Sequence, residues 1–152
     1  MVNVILTTRS LTFHQVNDAV DNFYKQDLLS KQLIIANNYP SWEMCLQLNI
    51  TSTKYVSVFD KPFASDIKAE ADLIAESSRY IACLPKYDVP NDLLSTWVVR
   101  LIESEASIIH DGRGCYLAKK RIIPKPYVHD RAMDEIISLA SCNNELLIKD
   151  SF

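Results

Sequence analysis

Short hydrophobic runs without helical spacing predict a series of strands along the chain. The apolar run at residues 79–84 stops at Pro85, which is typical of a central strand of a sheet. In residues 43–50 apolar and polar positions alternate, which predicts a strand buried on one face only. The remaining predicted strands are residues 2–7, 31–36, 54–60, 107–110, 115–118 and 145–149.

Apolar residues spaced three or four positions apart predict four helices. The strongest pattern predicts a helix at residues 93–102, in which one face carries Leu93, Leu94, Trp97, Val98, Leu101 and Ile102. The other three helices begin after side chains that can cap a helix N-terminus. These predicted N-caps are, in chain order, Thr12, Ser65 or Asp66, and Asp130.

The order of these elements predicts an α+β fold with a mixed, mainly antiparallel sheet and helices on one face. From residue 79 onwards the order is strand, helix, two strands, helix and a final strand, as in a ferredoxin-like (split βαβ) unit. Residues 1–78 have the same order with one extra strand. We therefore expect a single domain over residues 1–152, with a duplication of two related halves, 1–78 and 79–152, left open.

The composition is that of an ordinary globular domain, with 48% hydrophobic and 23% charged residues. A net charge of −3 argues against a general nucleic-acid binder, which needs many basic contacts to phosphate. The first residues have no basic run before an apolar core, so they do not predict a signal peptide. No apolar run is long enough to cross a bilayer. We expect a cytoplasmic protein without a membrane partner.

Both glycines of the chain lie in one short segment, His110-Asp111-Gly112-Arg113-Gly114-Cys115. Asp-Gly between two apolar runs favours a hairpin turn, because glycine adopts a left-handed backbone without strain. A phosphate-binding loop would lead into a helix, whereas this segment leads into a predicted strand. The alternative is a reactive loop, in which Cys115 is a nucleophile and His110 is its base.

No metal site and no cofactor are expected from the sequence. The four cysteines lie far apart in the chain, without the close pairs of common metal sites, and are expected to be reduced and buried. A site built from His110, Asp111, His129 and Asp130 is conceivable, but neither His-Asp pair has the spacing of a common helical ligand motif.

Two charged stretches are candidate binding surfaces. The acidic candidates lie on and just before the second predicted helix and are Asp60, Asp66, Glu70, Asp72 and Glu76. They form either a solvated helix face or a docking face for a basic partner. Trp42 follows a predicted loop and is either a core residue or a candidate interface anchor. The basic candidates, which suit either phosphate binding or protection of a sheet edge, are Arg113, Lys119, Lys120, Arg121, Lys125 and Arg131.

The apolar strand at 79–84, the helix at 93–102 and the hairpin Ile108-Ile109-His110-Asp111-Gly112 follow one another in an order that resembles immunity proteins of bacterial polymorphic-toxin systems. The resemblance covers residues 79–114. It implies a non-catalytic protein that binds and neutralises a cognate toxin in the cytoplasm, with the acidic face as the contact surface. The alternative hypothesis is a small enzyme or ligand-binding domain that uses the His110–Cys115 hairpin. The oligomeric state stays open.

Overall fold

A computed structural model describes residues 2–7, 11–36, 56–59, 79–123 and 131–152. Within these residues the strands are β1 (Val2–Thr7), β2 (Lys31–Ala36), β3 (Val56–Phe59), β4 (Tyr80–Cys83), β5 (Ile108–His110), β6 (Tyr116–Lys119) and β7 (Leu147–Lys149). The helices are α1 (Phe13–Lys25), α2 (Leu93–Ser104) and α3 (Ala132–Cys142), and a 3₁₀ turn (Lys120–Ile122) follows β6.

The described strands form one sheet in the order β3-β2-β1-β4-β6-β5-β7. Parallel pairs join β1 to β2, β1 to β4, β2 to β3 and β5 to β7, and only β6 runs antiparallel to both of its neighbours. The predicted ferredoxin-like α+β class is therefore wrong. Helix α1 is a crossover that returns the chain to the same end of the sheet, which makes β1 and β2 parallel neighbours.

The helices cover both faces of the sheet, so the prediction of helices on one face is also wrong. Alternate residues of a strand point to opposite faces, and in β1 Val4 joins one buried cluster whereas Ile5 joins the other. The Val4 cluster contains α1 and α2, with Phe23 and Trp97 among its buried side chains. The Ile5 cluster contains α3, through Ala132, Ile136 and Ala140. The protein thus has three layers, as a mainly parallel sheet requires.

Most of the predicted elements that can be compared are confirmed, with small shifts at their ends. Thr12 is the N-cap of α1, and Gln15 completes a reciprocal capping box with it. The N-cap of α3 is Arg131, which makes no side-chain cap, and the predicted cap Asp130 lies outside the described residues. The predicted strand at 43–50 and the helix ending near Ser78 also lie outside them.

No helix in the described part of the chain is both long and apolar enough to cross a membrane. For this part of the chain, the finding agrees with the expectation from the sequence that no segment crosses a membrane. The single-domain assignment and the possible duplication stay predictions.

We predict that Ile136→Ala lowers the free energy of unfolding by about 2–5 kcal/mol, because it leaves a cavity between α3 and the sheet. Leu139→Ala is the matched control, since Leu139 lies on the exposed side of the same helix and such positions change stability by about 0.5 kcal/mol or less. Urea unfolding of both variants measures the difference. Equal losses in the two variants would contradict the assignment of α3 as a cover for this face.

Candidate active site

A cleft opens at the carboxyl ends of β1 and β4. From β1 the chain crosses through α1 to β2 on one side, whereas β4 pairs with the other side of β1. In open α/β sheets such a change of direction leaves a crevice between the strand ends, where ligands bind. Here the crevice has a volume of about 480 Å³ and is lined by Leu6, Leu11, Ala19, Cys83, Leu84, Pro85, Lys86, Tyr87, Gly112, Arg113, Gly114, Tyr116, Met133 and Asp134.

The loop between β5 and β6 forms one wall of this cleft and is held by the buried carboxylate of Asp111. One oxygen, Oδ1, accepts hydrogen bonds from the backbone N–H groups of Arg113 at 2.8 Å and Cys115 at 3.0 Å. The backbone N–H of Asp111 donates to the Cys115 carbonyl at 3.1 Å. Gly112 and Gly114 have φ angles of 79° and 127°, a region that favours glycine. The predicted hairpin turn is confirmed.

The second oxygen of Asp111 links the loop to Tyr87. The Tyr87 hydroxyl donates a hydrogen bond to Asp111 Oδ2. Burial raises the pKa of Tyr87 well above its usual value, and the hydrogen bond to Asp111 and the negative charge of Asp111 raise it further. The phenol therefore stays protonated at neutral pH and continues to donate.

Arg113 lies at the cleft with its guanidinium over the Tyr87 ring, 4.4 Å from the ring centroid. Its one ion pair, from Nε to Asp111 Oδ2, is long at 3.7 Å, and no hydrogen bond from the guanidinium is formed with the described residues. The stacking contact and the ion pair orient the side chain, while most of its five N–H donors stay available. An oriented guanidinium with open donors suits a phosphate or a carboxylate.

The backbone of the same loop is also open to a ligand. The N–H groups of Gly112 and Gly114 donate no hydrogen bond to the described residues. Apart from Gly114 itself and its two neighbours in the chain, no atom of the described residues lies within 4 Å of the position that a Cβ on Gly114 would take, so the missing side chain leaves room for a close approach to the main chain. Lys86 adds a second cation to the cleft.

The structure separates His110 from Cys115. In the hairpin register His110 lies opposite Tyr116, so these two side chains share one face, and Cys115 points to the other face. Cys115 is fully buried in the cluster with Leu117 and Ile109, and burial raises the pKa of its thiol far above the usual value. A buried thiol that stays protonated is a poor nucleophile, so the Cys–His version of the alternative hypothesis is wrong.

Cys115 and Cys142 are free thiols. Cys115 is buried as predicted, Cys83 is partly buried with a thiol pKa raised by burial to about 12, and Cys142 is exposed, which contradicts the prediction for that residue. Cys45 lies outside the described residues.

No group of three or more His, Cys, Asp or Glu side chains that could hold a metal ion occurs in the part of the chain that the structure describes. Asp111 uses both carboxylate oxygens within the hairpin and for Tyr87. Residues His129 and Asp130 of the conceivable metal site lie outside the described residues, so the expectation of no metal and no cofactor stays a prediction.

The structure does not test the predicted acidic docking face or its anchor, because all six residues lie outside the described ranges: Trp42, Asp60, Asp66, Glu70, Asp72 and Glu76. The basic stretch is divided. Arg113 is at the cleft, whereas Arg121 follows β6 at the opposite end of the sheet and pairs with Glu145. Arg131 pairs with Glu135 on the surface of α3, and Lys125 is not described.

Sequence reasoning missed Lys86, Tyr87, Met133 and Asp134 as cleft residues. Lys86 and Tyr87 come three and four residues after β4, which ends at Cys83, and such positions are candidate ligand contacts once the strand is known to be parallel to its neighbour. Met133 and Asp134 belong to the first turn of α3, and nothing in the sequence places that turn beside β4.

We predict that Asp111→Ala destabilises the protein by more than about 2 kcal/mol, because buried donors left without an acceptor cost about 1–3 kcal/mol each. Asp111→Asn keeps one acceptor oxygen and should lose less. Asp88→Ala is the control: Asp88 pairs with Lys25 on the surface, where such a pair contributes little. Urea unfolding compares the three variants, and equal stability of Asp111→Ala and Asp88→Ala would contradict this role of Asp111.

A second prediction concerns His110, which is buried under α3. Burial, and then the positive charge of Lys149 on β7, hold the pKa of His110 below its usual value, although Asp111 and Asp134 of α3 raise it. The imidazole Nδ1 has no hydrogen-bond partner in the described structure. His110 of the unfolded chain, with the ordinary pKa of 6.5, therefore binds a proton at a higher pH than folded His110 does.

The contribution of His110 to stability is thus present above about pH 6.5 and is lost as the pH falls towards the lowered folded pKa. His110→Gln should show a smaller loss of stability than the wild type between about pH 8 and pH 5. The matched control is His14→Gln, at an exposed position of α1. Urea midpoints across this range measure the effect, and a wild-type slope in His110→Gln would contradict it.

No family model matches this chain, and no curated protein matches its sequence. Solved structures do match its fold. A mannosyltransferase from Pyrobaculum calidifontis, solved in complex with GDP-Man and Mn²⁺, matches with a TM-score of 0.72 at 10% identity, over 99% of this chain and 54% of that one. This chain thus spans about half the length of the mannosyltransferase chain.

Two shorter enzymes match as well. 4-Diphosphocytidyl-2C-methyl-D-erythritol synthase from Anaerococcus prevotii has a TM-score of 0.62 at 5% identity, over 99% of this chain and 86% of that one. A cytidylyltransferase from Leptospira borgpetersenii has a TM-score of 0.63 at 10% identity, over 99% and 75%.

These matches correct the functional prediction. The resemblance to immunity proteins covered residues 79–114, whereas the structural matches extend over nearly the whole chain. The expectation of a non-catalytic inhibitor is therefore wrong, and the alternative of an enzyme or ligand-binding domain agrees better with the fold. The chain has the α/β fold shared by nucleotide-sugar glycosyltransferases and cytidylyltransferases.

Proposed function

We propose that the cleft between β1 and β4 binds the phosphate groups of a nucleotide or a nucleotide sugar, and that the chain is a transferase domain for such a substrate. The observation that carries this proposal is the Arg113 guanidinium, which Tyr87 and Asp111 hold at the cleft with most of its donors unused. A guanidinium in this state binds phosphate oxygens in pairs.

The rest of the cleft suits the neutral part of such a substrate. Leu6, Leu11, Ala19, Leu84 and Met133 form an apolar lining. Ligand pockets are typically apolar with a few polar groups that set orientation. A base or a sugar ring against this lining would leave its phosphates facing Arg113 and Lys86, and the Asp134 carboxylate is placed to accept a hydrogen bond from a hydroxyl or amino group.

The names of the matching structures agree with this substrate class. One was solved with GDP-Man, and two are named for cytidylyl compounds. The same mannosyltransferase structure contains Mn²⁺. The described residues of this chain do not fit such an ion, because Asp134 is the one cleft carboxylate that is not already used.

We retain the cytoplasm as the proposed location. The free thiols of Cys115 and Cys142 are those expected of a reducing compartment. A toxin partner belonged to the inhibitor hypothesis, with which the fold disagrees, and is not proposed.

The test is calorimetric titration of the full chain with GDP, CTP and GDP-mannose. At least one should bind, and Arg113→Ala should weaken its binding by about 10- to 100-fold, because a hydrogen-bonded charge contributes about 1.5–3 kcal/mol. Arg121→Ala is the matched control, since the Arg121 side chain is 58% exposed, against 60% for Arg113, and lies at the far end of the sheet.

Arg121→Ala should bind like the wild type. If none of the three nucleotides binds, or if Arg113→Ala binds as tightly as Arg121→Ala, the proposal is wrong. A spectrum of each variant that matches the wild type in the far ultraviolet shows that the loss is not due to unfolding.

A further inference from the structure

We propose that Phe152 is a positioning residue for Arg113 and acts through the Tyr87 ring. The proposal rests on the proposed function, because it assigns Arg113 as the phosphate ligand. Residues 150–152 follow the last strand and lie beside the cleft without lining it. They are joined to Arg113 by a continuous series of contacts, each of which is visible in the structure.

The segment is anchored by Asp150. Its backbone N–H donates to the His110 carbonyl at 2.8 Å, which extends the pairing of β7 with β5 by one bond. Its carboxylate Oδ2 accepts from Trp97 Nε1 at 2.8 Å and from Arg100 Nη1 at 2.7 Å. Trp97 is a buried residue of α2. Asp150 therefore fixes the direction in which the chain leaves the sheet, and with it the position of Phe152.

Phe152 packs on two aromatic rings. Its centroid lies 6.1 Å from that of Trp97 and 6.4 Å from that of Tyr87, with interplanar angles of 59° and 31°. These distances are within the range of favourable aromatic pairs. Since Trp97 is fixed in the core, Phe152 connects the Tyr87 ring to a rigid part of the molecule.

Tyr87 needs such support because it lies in the irregular segment between β4 and α2. Its backbone carbonyl accepts a hydrogen bond from Asn22 Nδ2 at 2.8 Å, which holds the main chain. The ring is held separately, by the hydroxyl bond to Asp111 and by the contact with Phe152. Arg113 in turn stacks on this ring. Without Phe152, the Tyr87 ring would pivot on the hydrogen bond between its hydroxyl group and Asp111. The Arg113 guanidinium, which stacks on this ring, would then occupy a wider range of positions.

The expected effect is smaller than the loss of Arg113 itself. An aromatic pair contributes on the order of 0.5–1.5 kcal/mol, so Phe152→Ala should weaken nucleotide binding by about two- to tenfold. Phe152→Tyr keeps the ring and should restore wild-type affinity. In an Arg113→Ala background Phe152→Ala should have no further effect, because the residue through which it acts is absent.

The experiment measures the affinity for GDP, CTP and GDP-mannose in the wild type, the Phe152 variants, Arg113→Ala and the double variant Arg113→Ala/Phe152→Ala. Leu146→Ala is the matched control: Leu146 is an exposed apolar residue directly before β7, with 52% exposure against 40% for Phe152, and it is not among the residues that line the cleft. It should bind like the wild type. The melting temperature of each variant shows any general loss of stability.

A second readout does not need a ligand. In ¹H–¹⁵N spectra of the Arg113 Nε–H group, the wild type should show nuclear Overhauser effects to the Tyr87 ring, and Phe152→Ala should weaken them while Leu146→Ala does not. If no nucleotide binds the wild type, the proposed function fails, and these spectra still decide whether Phe152 orients Arg113. Unchanged spectra in Phe152→Ala, or an equal loss of affinity with and without Arg113, would overturn the proposal.

Discussion

The candidate site depends on one buried carboxylate. Asp111 is almost completely removed from solvent, with its side chain 1% exposed, and a buried carboxylate is tolerated only when its oxygens accept hydrogen bonds. Two backbone N–H groups and the Tyr87 hydroxyl fulfil this requirement. The same three bonds close the hairpin loop, fix the Tyr87 ring and bring Arg113 to the cleft. The hydrogen bonds that the buried Asp111 carboxylate needs therefore also determine where the positive charge of Arg113 lies in the cleft.

The charges of the site follow from this arrangement. Both oxygens of Asp111 already accept hydrogen bonds within the protein, and its ion pair with Arg113 Nε is long at 3.7 Å. The guanidinium keeps open donors although its position is restricted on one side by an aromatic ring. Orientation before the ligand arrives reduces the conformational entropy that binding costs. Because Phe152 packs on the Tyr87 ring, a residue outside the cleft also restricts the position of the Arg113 guanidinium.

The fold determines where the cleft lies, and the side chains of the cleft determine which chemistry it can carry. A crevice at the carboxyl ends of β1 and β4 arises from the reversal of strand order in any sheet of this type. One fold carries many functions, and function has to be argued from the side chains of the site. In this chain those side chains favour an anionic ligand, such as the nucleotide that we propose.

The sequence by itself determined the hairpin and those helices and strands that lie within the described residues. The apolar spacing of α2 and α3, the cap at Thr12 and the turn at Asp111-Gly112 depend on residues close together in the chain, and the structure confirms them. Only the tertiary structure decided which strands pair. Whether β1 lies beside β2 and β4 depends on contacts between residues that are distant in the sequence, and apolar periodicity does not encode these contacts. The strands that can be compared were therefore predicted correctly, whereas their arrangement in the sheet was predicted wrongly. The cleft has the same origin: Tyr87, Arg113 and Phe152 are far apart in sequence and meet because α2 and the sheet pack together around Trp97.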